Sequence, residues 1–153
     1  MKHQADKTVI KEMLIKSHKK LKTALTNLEH EEYDDSVSRS YYAVFHAISA
    51  ILLSKGLHFS THAQTIGAFN REFVKTGKIP VLTKTIEKLF SERQIGDYDF
   101  QSCLDAYIAK EDLEEAEKII DACETIWQRF TKFQRTTGKN NAKRFKENYD
   151  YSY

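Results

Sequence analysis

The chain has 153 residues, enough for one domain with a single hydrophobic core, and its one proline and five glycines are too few for a many-stranded β fold. The formal net charge of +2 is too small to indicate nucleic-acid binding from bulk charge. No apolar run is long enough for a membrane span or a signal peptide, and Cys103 and Cys123 lack the spacing of a zinc site or a disulfide framework, so we expect a cytoplasmic protein.

Apolar residues recur at spacings of three and four along five segments, which predicts helices joined by short connections. The first helix covers residues 7–29, and the second begins between residues 33 and 36 and runs to residue 55. Gly56 follows at a position where glycine commonly terminates a helix. Thr61 and Gln64 have the T-x-x-Q spacing of a capping box, which predicts a third helix that ends at "KTGK".

Pro80 suits the first turn of a fourth helix, which continues to Gly96. After a looser stretch over residues 97–110, a fifth helix covers about residues 111–132 with a regular apolar stripe. Together these elements predict an all-α, up-and-down bundle of about five helices, in a domain over residues 1–134. Residues 135–153 are basic and contain tyrosines without apolar periodicity, so we expect a flexible tail there.

The second helix carries polar residues inside an apolar run, "SRSYYAVFHAISAILLSKG". Arg39, Tyr42 and His46 share one stripe, because the step from the arginine to the histidine is almost two helical turns. Two interpretations remain open for these residues. Either they form hydrogen bonds within the core, or they line a cleft where a ligand binds.

Arg93 in the fourth helix occupies a position where the stripe predicts an apolar side chain. A buried arginine keeps its charge, so it either pairs with Asp97 or faces a phosphate. His62 lies at the first position of the third helix, where the helix dipole favours a neutral imidazole, either as an anion site or as a surface cap residue. No carboxylate lies at a spacing that completes a metal site with His58 and His62, so we expect no bound metal.

The segments "SRSYYAVFHAISAILLSKGLHFSTHAQTIGAFNREFVKTGKI" and "LFSERQIGDYDF" resemble the HEPN family, in particular its short bacterial and archaeal branch with a YYAxFH-type second helix and an R-x-x-G-D-Y helix end. The resemblance covers residues 33–122. It implies a helical bundle that dimerises, that is often encoded beside a small nucleotidyltransferase and that in many relatives works in a toxin–antitoxin system. Catalytic members are metal-independent ribonucleases whose arginine and histidine, spaced R-x4–6-H, face their symmetry mates across the dimer cleft.

In the fourth helix, Arg93 to Tyr98 reads "RQIGDY", which has the arginine of the ribonuclease motif and lacks its histidine. Arg39 and His46 satisfy R-x6-H, but on the second helix. In a catalytic member the histidine moves the 2′-hydroxyl proton and the arginine stabilises the charge on the phosphorane. The candidate catalytic residues are Arg39, His46 and Arg93.

The resemblance implies a dimeric, toxin-like module that binds RNA or nucleotides and is paired with a small nucleotidyltransferase. The further residues expected to bind RNA or nucleotide around its cleft are Tyr42, His62, Asp97 and Tyr98. One alternative is an active ribonuclease that uses Arg39 with His46, or Arg93 with His62. The other alternative is a non-catalytic interaction scaffold whose polar residues only satisfy one another. None of the three implies a cofactor.

Overall fold

A computed structural model describes residues 6–136 of the chain, with side chains through residue 133. Its helices in chain order are α1 (Lys7–Glu29), α2 (Tyr33–Ser54), α3 (His62–Phe69), α4 (Ile86–Tyr98) and α5 (Ala106–Thr136), and a π-helical turn (Asn70–Val74) extends α3. The described residues contain no β-strand, which confirms the predicted all-α bundle of about five helices. Within the same residues, no helix has both the length and the apolar character needed to cross a membrane. Of the tail predicted for residues 135–153, residues 135 and 136 belong to α5. The rest of that predicted tail lies outside the described part of the chain.

α2 is the central helix of the bundle and packs against α1, α3, α4 and α5. Its sequence explains this position, because apolar or small residues cover most of its circumference. The fully buried residues of α2 include Val37, Ala43, Val44, Ile48 and Ile51. α1 and α5 contribute the predicted apolar stripes, with Leu14 and Leu21 buried on α1 and Ile120, Cys123 and Trp127 buried on α5.

The helix ends follow local sequence signals. The Thr61 hydroxyl accepts a hydrogen bond from the backbone N–H of Gln64 at 3.2 Å, which confirms the predicted cap of α3. Gly56 follows the end of α2 with a φ of 76°, a left-handed conformation that glycine adopts without steric cost. This turn lets the chain leave α2 and return as α3 beside it.

The predicted start of the fourth helix at Pro80 is wrong, because α4 begins at Ile86. The Thr85 hydroxyl caps α4 by accepting from the backbone N–H of Lys88 at 3.1 Å. The segment before it is held in a non-helical conformation by α5, since Glu115 accepts hydrogen bonds from the backbone N–H groups of Thr83 and Lys84 at 2.8 and 3.3 Å. A local sequence pattern cannot reveal this contact, because Glu115 is about thirty residues further along the chain.

α4 continues past Gly96 to Tyr98, so the predicted end at the glycine is also wrong. A Cβ on Gly96 would lie 3.0 Å from Leu104 Cδ1 and 3.3 Å from the Asp34 carbonyl oxygen, so the glycine allows α4 to approach the start of α2 closely. α5 begins at Ala106, five residues earlier than predicted, because Asp105 accepts a hydrogen bond from the backbone N–H of Ile108 at 2.9 Å and caps the helix. The continuation of α4 past Gly96 places Arg93 and Asp97 in one continuous helix.

Candidate functional site

One face of α2 is only partly covered by its neighbours. Its residues recur at spacings of three and four and are half-buried, namely Arg39, Tyr42, Phe45, His46, Ser49 and Leu53. We call these residues the α2 stripe. α1 lies along one side of the stripe, and α3 and α4 lie along the other, so it forms the floor of a shallow groove.

Arg93 of α4 is 6% exposed and lies against aromatic rings. Its guanidinium carbon is 5.2–5.3 Å from the ring centroids of Tyr41, Tyr42 and Phe90, a distance at which the negative face of a ring attracts a cation. Phe90 precedes Arg93 by three positions on the same face of α4, and the two tyrosines come from α2. The rings therefore position the guanidinium at the edge of the α2 stripe.

The guanidinium of Arg93 has more hydrogen-bond donors than partners. Its Nη1 donates to Asp97 Oδ2 at 3.2 Å, which confirms the predicted pair across the last turn of α4. Its Nε is buried and has no partner among the described residues. A guanidinium carries five N–H donors in a fork that matches a carboxylate or a phosphate, so donors remain for an anion besides Asp97.

His62 lies at the first position of α3 and completes this site. The Tyr41 hydroxyl is 2.6 Å from His62 Nδ1, and the imidazole stacks on Phe45 with ring centroids 4.0 Å apart. We call the residues that meet here the Arg93 cluster, namely Arg93, Asp97, Tyr41, Tyr42, Phe90 and His62.

The protonation states within the Arg93 cluster follow from burial. Burial raises the pKa of Tyr41, and burial together with the charge of Arg93 lowers the pKa of His62. At neutral pH the phenol is therefore protonated and the imidazole is neutral. The Tyr41 hydroxyl is buried and has only His62 as a hydrogen-bond partner within the described residues, so we assign it as the donor to Nδ1, which places the proton of His62 on Nε2. The lowered pKa of His62 agrees with the neutral imidazole expected from the helix dipole, with burial as its first cause.

The other side of the α2 stripe is basic. Burial, followed by the charges of Lys16 and Lys20, lowers the pKa of His46, and burial, followed by the charges of Arg39 and Lys16, lowers the pKa of Lys20. Within residues 6–136 neither lysine nor Arg39 forms an ion pair with a carboxylate. We call Lys16, Lys20, Arg39 and His46 the basic flank. It concentrates positive charge in a molecule whose overall charge is nearly balanced.

The structure places the predicted site residues in two adjacent groups. Tyr42, His62, Arg93 and Asp97 meet in the Arg93 cluster, whereas Arg39 and His46 lie in the basic flank. Tyr42 connects the groups, because it contacts Arg93 and lies about one helical turn from both Arg39 and His46. Tyr98 is 73% exposed at the end of α4 and forms no hydrogen bond, ion pair or ring contact with either group.

Sequence reasoning missed part of the site. Tyr41 and Phe45 fit the core-facing stripe of α2, and the structure confirms their packing in or against the core. In addition, the structure gives them polar or stacking contacts with His62. Phe90 could have been found, because an aromatic residue three positions before an arginine shares its helix face. Lys16 and Lys20 are four apart on α1, but their proximity to α2 depends on the tertiary fold.

A family model for the HEPN domain matches residues 10–132, which is most of the chain. The chain belongs to the HEPN family. This match confirms the resemblance seen in the sequence and includes α2, α3, α4 and nearly all of α1 and α5.

Several curated proteins are similar to this HEPN chain. A "UPF0332 protein" of Thermotoga maritima is 42% identical over 65% of this chain and 76% of its own length. Two proteins of Methanocaldococcus jannaschii carry the name "Putative toxin". One is 33% identical over 61% of this chain and 64% of its own length, and the other is 35% identical over 73% of this chain and 78% of its own length.

The described residues of the HEPN domain contain no cluster suited to a metal ion. No group of three or more His, Cys, Asp or Glu side chains in this part of the chain is arranged to hold one. The site offers the guanidinium of Arg93, the three cations and one imidazole of the basic flank, and aromatic faces. These are the groups with which proteins bind phosphates and unpaired bases.

Proposed function

We propose that this HEPN protein is a dimeric, toxin-like module that binds RNA or nucleotides and is paired with a small nucleotidyltransferase. The observation that carries the proposal is the buried Arg93 guanidinium, which lies on aromatic rings with an unpartnered Nε. The toxin-like role is supported by the two relatives named "Putative toxin". The dimer and the nucleotidyltransferase partner rest on the family resemblance.

Two features of the groove favour a phosphate ligand. An arriving phosphate would accept hydrogen bonds from the free donors of Arg93, joining or displacing Asp97, whose side chain is 28% exposed and can turn to water. The basic flank on the opposite side of the α2 stripe would contact further phosphates along a strand. A single-stranded RNA laid along the groove would therefore meet cations on both sides and the ring of Tyr42 between them.

RNA binding tests the proposal directly. The anisotropy of a fluorescein-labelled single-stranded RNA is titrated with the wild-type chain, Arg93→Ala and a matched surface control, Arg71→Ala. Arg71 is exposed and pairs only with its neighbour Glu72 among the described residues. We expect Arg93→Ala to weaken binding about tenfold or more and Arg71→Ala less than about twofold. Equal effects of the two substitutions would contradict a phosphate site at Arg93.

A second candidate function is metal-independent RNA cleavage by Arg93 and His62, because both contact the rings of Tyr41 and Phe90. In the assigned tautomer Nδ1 of His62 accepts from Tyr41 and Nε2 carries the proton, so the imidazole has no free lone pair for the 2′-hydroxyl proton. This arrangement favours binding over cleavage.

Incubation of labelled RNA with the protein in EDTA separates the two functions. Cleavage that disappears in both His62→Ala and Arg93→Ala would establish the ribonuclease. Cleavage that depends on Arg39 and His46 would show that the basic flank is the catalytic site. An absence of cleavage with retained RNA binding is the outcome that the binding module predicts.

The toxin-like role and the partner are tested in cells of the source organism. Overexpression of the chain alone should slow growth, and Arg93→Ala should relieve the effect while Arg71→Ala does not. A tagged chain should recover a nucleotidyltransferase from the native extract. Normal growth under overexpression would remove the toxin assignment, and recovery of no nucleotidyltransferase would count against the pairing.

A further inference from the structure

A cavity of about 210 Å³ lies beside the C-terminal half of the α2 stripe. Phe45, His46 and Ser49 of α2 form one wall, and His58 and Phe59 of the segment between α2 and α3 form another. Ligand pockets for drug-sized molecules have volumes of about 300 Å³ and more, so this cavity suits a smaller occupant. A single planar ring system fits that description.

The walls of the cavity combine aromatic faces and the aliphatic side chains of Met13, Leu52 and Leu57 with a few polar groups. The ring of Phe45 is fixed by its stack on His62, so it is a rigid surface against which a ring can pack. His46 offers one donor and one acceptor as a neutral imidazole, and the Ser49 hydroxyl has no hydrogen-bond partner among the described residues. Stacking surfaces with edge-directed donors and acceptors are how proteins hold bases taken out of a stack.

The cations beside the cavity indicate that the bound ring carries a phosphate group. Lys16 and Lys20 lie close enough to His46 to lower its pKa, and neither forms an ion pair with a described carboxylate. Arg39 lies about two turns before His46 on the same face of α2. A neutral apolar ligand would gain nothing from these cations, whereas the phosphate attached to a base would.

We propose that this cavity binds one unpaired nucleobase, between Phe45 and Phe59 and within hydrogen-bond reach of His46 and Ser49, while its phosphate lies on the basic flank. The inference rests on the proposed RNA- or nucleotide-binding function and names where the base is held. It assigns His46 to base recognition, which does not require it to move a proton. The base can belong to a single-stranded RNA or to a free nucleotide.

The test fills the cavity and removes one of its walls in the full chain. Ser49→Phe places a ring where the base would lie, and Phe59→Leu keeps the apolar volume and removes the stacking surface. Ser91→Phe, an exposed serine within α4, is the matched control. Circular dichroism and thermal unfolding identify any variant that has not folded, and Phe59→Leu decides the question if Ser49→Phe is one of them.

Binding of a single-stranded RNA decamer is measured for each variant. We expect Ser49→Phe to weaken binding about tenfold, Phe59→Leu to weaken it several-fold and Ser91→Phe to leave it unchanged within about twofold. RNA binding that is unchanged in both cavity variants would overturn the base site and leave the proposed function standing. An absence of RNA and nucleotide binding by the wild type would overturn both.

The source of the base is distinguished by a second measurement on the wild type. Nucleoside 5′-monophosphates and the decamer are titrated separately while the imidazole NMR signals of His46 and His58 are followed. Signals that shift with a monophosphate at micromolar to low millimolar concentration indicate a free-nucleotide site, and signals that shift only with the decamer indicate an RNA site. Imidazole signals that shift with neither ligand, although the decamer binds, would overturn the inference.

Discussion

At the residue scale, the bond between Tyr41 and His62 fixes the proton positions at the site. Because the phenol donates to Nδ1, the neutral form of the imidazole is stabilised and its Nε2–H is available as a donor. A phosphate oxygen is an acceptor and matches this donor. The same bond leaves His62 without a free basic nitrogen. The Tyr41 hydroxyl on α2 therefore prevents His62 from acting as a general base and leaves it a hydrogen-bond donor for binding.

Replacement of Tyr41 by phenylalanine tests this argument. We expect Tyr41→Phe to lower the free energy of unfolding by about 1 kcal/mol, because a half-buried imidazole nitrogen loses its donor. We also expect the pKa of His62 to rise, because the hydrogen bond that favours the neutral form is lost. Urea denaturation and an NMR titration of the imidazole measure the two effects. Tyr42→Phe is the control, and an equal loss of stability there would show that the Tyr41–His62 bond contributes nothing special.

Substitution of Arg93 is expected to affect RNA binding and the free energy of unfolding differently. A buried ion pair is often no more stabilising than apolar side chains of similar volume, and the side chain of Asp97 can be solvated when its partner is removed. We therefore expect Arg93→Leu to leave the free energy of unfolding unchanged or to raise it by about 1 kcal/mol, while RNA binding is lost. Chemical denaturation and anisotropy measure the pair of effects. Retained RNA binding in a stable Arg93→Leu protein would contradict a phosphate site at Arg93, and unchanged binding of a protein partner by this variant would favour the scaffold alternative.

At the element scale, α4 is attached to α5 by an ion-pair network that contains more carboxylates than cations. The ammonium of Lys84 lies 3.0 Å from Glu92, 3.1 Å from Glu111 and 2.5 Å from Asp112, so one cation faces three carboxylates. Asp112 is 1% exposed and its Oδ2 has no partner within the described residues. Burial, followed by the nearby Glu92, raises the pKa of Asp112 to about 7.

This raised pKa predicts a pH dependence of stability. Between about pH 4 and pH 7 the unfolded chain has already released the Asp112 proton while the folded chain keeps it, so the free energy of unfolding falls as the pH rises through this range. We expect Asp112→Asn to remove this contribution. Relative to the variant, the wild type should lose at most about 3 kcal/mol between pH 5 and pH 8. Urea denaturation at both pH values measures it, with the exposed Asp35→Asn as control. Parallel pH profiles for the wild type and Asp112→Asn would contradict the prediction.

The helices themselves could be predicted where the signals are local. The apolar stripe of α1, the Thr61 cap and the turn at Gly56 each depend on neighbours within a few residues, and all three are confirmed. The start of α4 was predicted wrongly because Glu115 of α5 holds the preceding segment. The site shows the same division. The Arg93–Asp97 pair follows from helix spacing, whereas the contact of His62 with Tyr41 requires two helices to meet.

At the scale of the whole molecule, acidic and basic residues lie in different regions, although the net charge is close to zero. The chain has 24 lysines and arginines and 22 aspartates and glutamates. Acidic residues group at the turn between α1 and α2 and at the start of α2, at Glu31, Glu32, Asp34 and Asp35, and again along α5, whereas the basic flank lies within α1 and α2, before and after that turn. A nearly neutral protein can therefore attract a polyanion to one region, and the local cations rather than the net charge determine the interaction.

This separation predicts how RNA binding responds to salt. Each phosphate contact on a single strand contributes about 0.7 to the slope of log K against log salt concentration, because bound counterions are released. We expect the double substitution of Lys16 and Lys20 by alanine to reduce the magnitude of the slope by about 1.4. The double substitution of Lys75 and Lys78 by alanine, beyond the π-helical turn, should leave the slope nearly unchanged. Anisotropy titrations over a series of salt concentrations measure both. If the two pairs reduce the slope equally, RNA contacts the surface without preference and the α2 stripe is not its path.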